Sequence, residues 1–316
     1  MSDSIKLGLA QINPTVGDFS GNKKKILHYI QQSQQKDIDI LTFPELTITG
    51  YPPSDLLLRD NFIQKNQNVL TEIAQKVGQN IHVIVGFVRQ KEGKLFNSAA
   101  ILHDGQIQSE IAKTLLPNYD VFNEKRYYTP AEKIQPVTIN VNGKTINLGV
   151  EICEDIWNTP DQTPVTKILV EQGSDLIINL SASPFDYNKD SVRQKLLQNK
   201  TQKFKKPIAL CNIVGAQDDL IFDGRSLVYD SQSQLIASGK EFQEELLATS
   251  INISTGSGEP VQPPTSSKNE KIFNALVLGV RDYFRKTGFE KAVLGLSGGI
   301  DSALTACIAR EALGEE

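Results

Sequence analysis

At 316 residues, with 39% hydrophobic content, the chain is long enough for one large α/β domain and part of another. Its net charge of −4 argues against a nucleic-acid partner, and no apolar run approaches the roughly 18 residues of a membrane helix. Its three widely spaced cysteines make no disulfide framework, which fits a reducing, cytoplasmic setting. In chain order, residues 5–12 alternate like a strand and stop at Asn13-Pro14. Residues 19–36 carry Ile26, Leu27 and Ile30 in an otherwise polar stretch, an amphipathic helix pattern. A strand to Phe43 precedes a second helix over residues 60–78. Strands over 81–88 and 95–102 flank the turn at Lys91-Glu92-Gly93-Lys94, and Asp104-Gly105 and Asn142-Gly143 mark further hairpins. Helices over 163–172 and 190–204 then alternate with strands over 175–180 and 207–213, and residues 220–253 are rich in strands.

Hairpins mixed with strand–helix–strand units imply an α/β sandwich rather than a simple parallel doubly wound sheet. Residues 254–269, rich in Ser, Gly and Pro, read as a linker between a domain at 1–253 and a second unit at 270–316. That unit is expected to hold a helix over 269–286, a short strand over 291–296 and a helix from Ser302. Ile272, Leu276, Val280 and Phe284 form an apolar stripe on its first helix. A helix, a strand, a loop and a helix cannot enclose a core. The expectation is the truncated start of a domain, with its stripe unpartnered or packed against another subunit. The basic runs Lys23-Lys24-Lys25 and Lys203-Phe204-Lys205-Lys206 read as solvated helix faces.

Three charged or nucleophilic residues close apolar runs: Glu45, Lys113 and Cys153. Cysteine suits amide attack because its thiolate forms a thioester that water later opens. A carboxylate can take the thiol proton, and a cation can face the oxyanion. The words Phe43-Pro44-Glu45-Leu46-Thr47-Ile48-Thr49-Gly50-Tyr51-Pro52-Pro53, Lys113-Thr114-Leu115-Leu116-Pro117-Asn118-Tyr119 and Cys153-Glu154-Asp155-Ile156-Trp157 resemble the catalytic set of the nitrilase superfamily. Within it, they look like the glutaminase part of the glutamine-dependent NAD synthetases. Leu294-Gly295-Leu296-Ser297-Gly298-Gly299-Ile300-Asp301-Ser302 resembles the pyrophosphate-binding loop of ATP-dependent adenylating amidotransferases, with glycines that let backbone N–H groups approach phosphate.

The resemblance implies an α-β-β-α four-layer sandwich followed by the start of a doubly wound α/β synthetase domain. It implies Cys153 as nucleophile, Glu45 as general base, Lys113 as oxyanion partner and Glu124 as a second glutamate orienting them. The glutamine pocket would be lined by Tyr119, Phe122, Glu154, Ser183 and Lys189, where some relatives have Arg at the last position. Arg193, one helical turn on, is the competing cation. Gly295, Leu296, Ser297, Gly298, Gly299, Ile300, Asp301 and Ser302 would bind ATP, with Asp301 helping to hold Mg²⁺. The implied partners are L-glutamine, nicotinic acid adenine dinucleotide, ATP and further copies of the chain, with no nucleic acid or membrane. The implied activity is glutamine-dependent NAD synthesis. The alternatives are a stand-alone nitrilase-type ω-amidase and a non-catalytic module that gates ammonia.

Overall fold

The computed structural model describes residues 3–157 and 162–314. Two six-stranded sheets lie face to face. The first contains β1 (Ser4–Gln11), β2 (Ile40–Thr42), β3 (His82–Lys91), β4 (Lys94–His103), β5 (Gln106–Ala112) and, beside β1, β14 (Glu245–Asn252). The second contains β6 (Val137–Val141), β7 (Lys144–Ile152), β8 (Leu176–Ser181), β9 (Ile208–Asn212), β12 (Leu227–Tyr229) and β13 (Leu235–Ser238), ordered β13-β12-β9-β8-β7-β6. In each sheet the central strands run parallel and the outer ones antiparallel.

Alternation along the strands divides their apolar residues between two faces. Leu7, Leu9 and Ile84 of the first sheet meet Leu148, Val150, Ile178 and Leu180 of the second, forming the core between the sheets. The opposite face of the first sheet, with Leu41, Val83 and Val85, is covered by Ile26 and Ile30 of α1 (Phe19–Gln35) and Leu70 and Ile73 of α2 (Asp60–Ala74). On the second sheet, Ile177, Ile208 and Leu210 are covered by Val165 and Leu169 of α3 (Val165–Glu171) and Leu197 of α4 (Lys189–Phe204). The result is the four-layer α-β-β-α sandwich. A small hairpin, β10 (Val214–Gln217) and β11 (Leu220–Asp223), stands outside both sheets.

The segment after the linker departs from the sequence reading. Helix α5 (Lys268–Thr287) begins with a capping box between Ser267 and Glu270 and ends at Gly288, whose φ of +78° suits glycine. Its buried face is Ala275, Val277, Leu278 and Asp282, while Leu276 of the expected stripe is exposed. Ala275 and Leu278 pack on Val214 and Phe242, with Ile221 and Phe185 alongside. The helix is therefore partnered by the sandwich of its own chain. The Asp282 carboxylate completes the contact, accepting from Asn13 Nδ2 at 2.6 Å and the Ala216 N–H at 2.7 Å. The strand expected over residues 291–296 does not form. Among the described residues no strand pairs with it, and an unpaired extended segment leaves its N–H and C=O groups to solvent. The last helix, α6 (Ile300–Leu313), starts two residues before Ser302 and rests on α5, where Arg281 donates to the Ala312 and Glu311 carbonyls. Among the described residues no helix is long and apolar enough to cross a membrane.

Candidate active site

Glu45, Lys113 and Cys153 follow β2, β5 and β7 respectively, so strand ends from both sheets converge at one edge of the sandwich. Close backbone packing sets the Glu45 segment against β3. A side chain at Gly86 would collide with the backbone of Pro44, Glu45 and Leu46, so only glycine allows that approach. Cys153 opens a 3-10 turn (Cys153–Ile156) with φ of +43°, a left-handed conformation costly for a residue with a side chain. Asp155 holds this elbow in place. Its Oδ2 accepts from the Ile152 N–H at 3.0 Å, and its Oδ1 accepts from the Leu115 and Thr114 N–H groups at 2.7 and 3.0 Å. One carboxylate thus ties the turn bearing Cys153 to the segment bearing Lys113.

The charged groups are enclosed together. Lys113 Nζ donates to Glu45 Oε1 at 2.7 Å and to Glu124 Oε1 at 2.8 Å. Asn97 Nδ2 donates to the same Glu45 oxygen at 2.7 Å, and its backbone carbonyl accepts from the Lys113 N–H at 2.8 Å. The Ala182 N–H donates to Glu45 Oε2 at 3.0 Å. The Tyr51 hydroxyl donates to Glu124 Oε1 at 3.1 Å. Glu124 therefore faces Lys113, while its neighbour Arg126 pairs with Asp55.

Burial and the nearby Glu45 carboxylate push the Cys153 thiol well above its usual range, with Lys113 opposing them. The sulfur rests as a thiol beside a carboxylate able to take its proton. Burial alone would lower the Lys113 ammonium, but the Glu124 and Glu45 carboxylates outweigh it and hold it well above its usual value. Burial also raises Glu124, against the pull of Lys113. The arrangement can deprotonate a sulfur nucleophile and place a fixed cation where an oxyanion would develop.

A cavity of about 330 Å³ opens on Cys153 and is lined by Tyr119, Phe122, Glu154, Trp157, Ser183 and Lys189 among others. Tyr119 meets Phe122 edge to face at 5.5 Å, and its hydroxyl donates to Glu154 Oε2 at 2.8 Å. Lys189 Nζ lies 4.4 Å from the centre of the Trp157 ring, a cation–π contact at the cavity wall. Ser183 is held from behind, its N–H donating to Asn212 Oδ1 at 2.9 Å. Arg193 is placed differently: fully buried, it pairs with Asp223 and donates to the Gly224 carbonyl. It faces β11, and the cavity wall carries Lys189.

Sequence reasoning missed Asn97, Asp155 and Asn212. Asn97 left a signal: Asn97-Ser98 is a polar pair inside the apolar run of β4, and buried polar side chains need partners. Asp155 lay inside a quoted motif without a role.

Residues 295–299 form an exposed turn before α6, and Ile300, Asp301 and Ser302 open the helix. Gly298 has φ of +84°, side chains at Gly295 and Gly298 would meet nothing, and the first N–H groups of α6 have no side-chain cap. An open glycine turn feeding uncapped N–H groups fits a phosphate chain. Asp301, in the first turn of α6, offers an exposed oxygen ligand of the kind Mg²⁺ takes, although no group of three or more His, Cys, Asp or Glu able to hold a metal occurs among the described residues.

Residues 6–257 match the Carbon-nitrogen hydrolase family and residues 272–316 match the NAD synthase family. The chain is 39% identical to the glutamine-dependent NAD(+) synthetase of Thermotoga maritima, over 99% of this chain and 59% of that protein. It is also similar to the solved glutamine-dependent NAD+ synthetase of Acinetobacter baumannii in complex with ADP, at 36% identity and a TM-score of 0.91, covering 98% of this chain and 58% of that one. An amidase from Nesterenkonia shares the sandwich fold, at 20% identity and a TM-score of 0.68 over 79% of this chain and 90% of its own. The chain spans under three fifths of the length of the curated relatives named here. With the hydrolase match running through both sheets and all three strand-end residues, the chain belongs to the carbon–nitrogen hydrolase family.

Proposed function

We propose that the sandwich is a glutaminase and that its ammonia serves the ATP-dependent amidation of nicotinic acid adenine dinucleotide to NAD⁺. The observation that carries the first half is the enclosed Glu45–Lys113–Cys153 cluster opening on a cavity with Lys189 in its wall. Cys153 Sγ attacks the side-chain amide carbon of L-glutamine as its proton passes to Glu45. Lys113 faces the oxyanion of the tetrahedral intermediate. Glu45 returns the proton to the leaving nitrogen, ammonia departs, and a thioester to Cys153 remains. Glu45 then takes a proton from water, whose oxygen attacks the thioester carbon, and passes it to the leaving Cys153 Sγ as glutamate is released. Glu124 and Asn97 keep Lys113 and Glu45 in register. Lys189 pairs with the substrate α-carboxylate as a point charge, while Ser183, Glu154, Tyr119 and Phe122 bound the amino-acid end.

The second half is supported by the NAD synthase match over residues 272–316 and by the names of the similar proteins. The turn at Gly295, Leu296, Ser297, Gly298, Gly299, Ile300, Asp301 and Ser302 would hold the phosphates of ATP, and Asp301 would contribute to a Mg²⁺ site. ATP, when bound, supplies activation of the acid to be amidated. The same reading places the protein in the cytoplasm, where the free Cys153 stays reduced, and as a homo-oligomer. The test is hydrolysis of glutamine, asparagine and an aliphatic nitrile side by side. A clear preference for glutamine supports the glutaminase; equal turnover of glutamine and asparagine, or preference for the nitrile, rejects it.

A further inference from the structure

Lys271 lies in the first turn of α5, outside the residues matched to the hydrolase family, yet its ammonium is directed into the hydrolase part. Nζ donates to Asp190 Oδ2 at 3.0 Å and pairs with Glu241 Oε1 at 2.8 Å, and only 14% of the side chain is exposed. Asp190 is itself buried. Its other oxygen accepts from Gln194 Nε2 at 3.0 Å and Arg225 Nε at 3.3 Å. Arg225 in turn donates to the Pro264 carbonyl of the linker at 2.8 Å. Asp190 directly follows Lys189, the first residue of α4 and the cation in the cavity wall. The next turn of α4 is pinned independently, through Arg193 and Asp223. The Lys271 contact therefore bears on the first turn of α4, the one that carries Lys189.

We propose that Lys271 is a positioning residue for the amide pocket: through Asp190 it holds Lys189 in place, so that docking of α5 sets the affinity for glutamine. This rests on the glutaminase reading above. Without the ammonium, Asp190 Oδ2 and Glu241 Oε1 lose their cation, Asp190 is held only through its other oxygen by Gln194 and Arg225, and the first turn of α4 loosens. A contact to the substrate's far end is made equally before and during the reaction, so its loss raises KM and leaves kcat in place.

The test compares Lys271→Met, Lys271→Arg and Lys189→Ala alone and combined, by ammonia release from glutamine. Alkylation of Cys153 by iodoacetamide, read at the Cys153 peptide with and without glutamine, reports the pocket without turnover. Lys271→Met should raise KM for glutamine by about tenfold, within the range for coupled sites, with kcat unchanged. It should require correspondingly more glutamine to protect Cys153, while the alkylation rate without glutamine stays at the wild-type value. Lys271→Arg should restore binding, because a guanidinium can span both carboxylates. In the Lys189→Ala background, Lys271→Met should have no further effect. A general loosening of the fold would instead change the alkylation rate and multiply with Lys189→Ala. If Lys271→Met does not fold, Asp190→Asn must show the same rise in KM. A wild-type KM in Lys271→Met, or effects that multiply, overturns the positioning role while active wild-type protein leaves the glutaminase reading standing. Wild-type protein that neither hydrolyses glutamine nor is protected by it overturns both.

Discussion

Lys113 Nζ donates to Glu45 Oε1 at 2.7 Å with neither side chain reaching solvent, and the same nitrogen serves Glu124. Removing the cation leaves two carboxylates enclosed together. Lys113→Ala should therefore lose about a hundred- to a thousandfold in kcat, as oxyanion-hole deletions do, and about 3–5 kcal/mol of stability, as broken buried pairs do. Glu45→Gln should lose comparable activity with a smaller change in stability. The double variant should be little worse than either single one, because the groups act as a unit. Ammonia release and thermal unfolding of the three proteins check this; multiplicative losses would mean the two residues act separately.

Lys189 and Arg193 sit one helical turn apart and have different surroundings. Lys189→Ala should weaken glutamine binding and leave the melting temperature unchanged, since its ammonium lies at a cavity wall. Arg193→Ala should lower the melting temperature, leaving Asp223 buried without its partner at a cost of about 3–5 kcal/mol. Asparagine should be a poor substrate for both the wild type and Lys189→Ala. A missing methylene displaces the amide from Cys153, and about 1 Å of misplacement can cost a hundredfold. A melting temperature that drops in Lys189→Ala and holds in Arg193→Ala would reverse the assignment.

Glu151, two residues before the nucleophile, is enclosed with Thr166 as a hydroxyl donor at 2.9 Å. Burial pushes its carboxyl from the ordinary 4.5 up to about 7. Between those values the folded protein keeps a proton that the unfolded chain has lost. This group's contribution to stability is therefore full below pH 4.5, falls as pH rises towards 7, and is flat above. The fall is on the order of 3 kcal/mol at most. Glu151→Gln does not titrate, so the stability of the variant relative to wild type should improve from pH 5 to pH 8. Urea midpoints at the two pH values decide it; an equal difference at both would place the ionised carboxylate at no disadvantage.

The sandwich was legible because strands and helices carry their own periodicities. The alternation in β1 and the spacing of Ile26 and Ile30 in α1 each report one buried face. The site was legible only as words, through Glu45, Lys113 and Cys153 in their contexts. Their supports come from strands far off in sequence: Asn97 lies 52 residues from Glu45, and Asn212 lies 29 from Ser183. Long-range hydrogen bonds of that kind leave no periodic trace. The stripe on α5 misled for a related reason. Its buried face is set by the β10–β11 hairpin and by Asp282, a charged residue that a search for apolar spacing passes over. The strand over residues 291–296 failed because a short apolar run signals a strand without supplying one to pair with.

The 316 residues by themselves should not make NAD⁺ from glutamine, ATP and nicotinic acid adenine dinucleotide. Residues 287–301 are exposed throughout, and an exposed phosphate turn encloses neither a base nor a dinucleotide. Ammonia release should be the same with and without the two nucleotides. Chromatography for NAD⁺ and an ammonia assay test this; ATP-dependent NAD⁺ from the purified chain would show that these residues form a complete site.

The most direct measurement is steady-state ammonia release from L-glutamine by the wild type and by Cys153→Ala, with matched melting curves. The substitution removes one small buried group, so the fold should persist while glutamine hydrolysis disappears and glutamate and ammonia form one to one in the wild type. A folded Cys153→Ala protein that still hydrolyses glutamine at a sizeable fraction of the wild-type rate would contradict the thioester route and the site built around it.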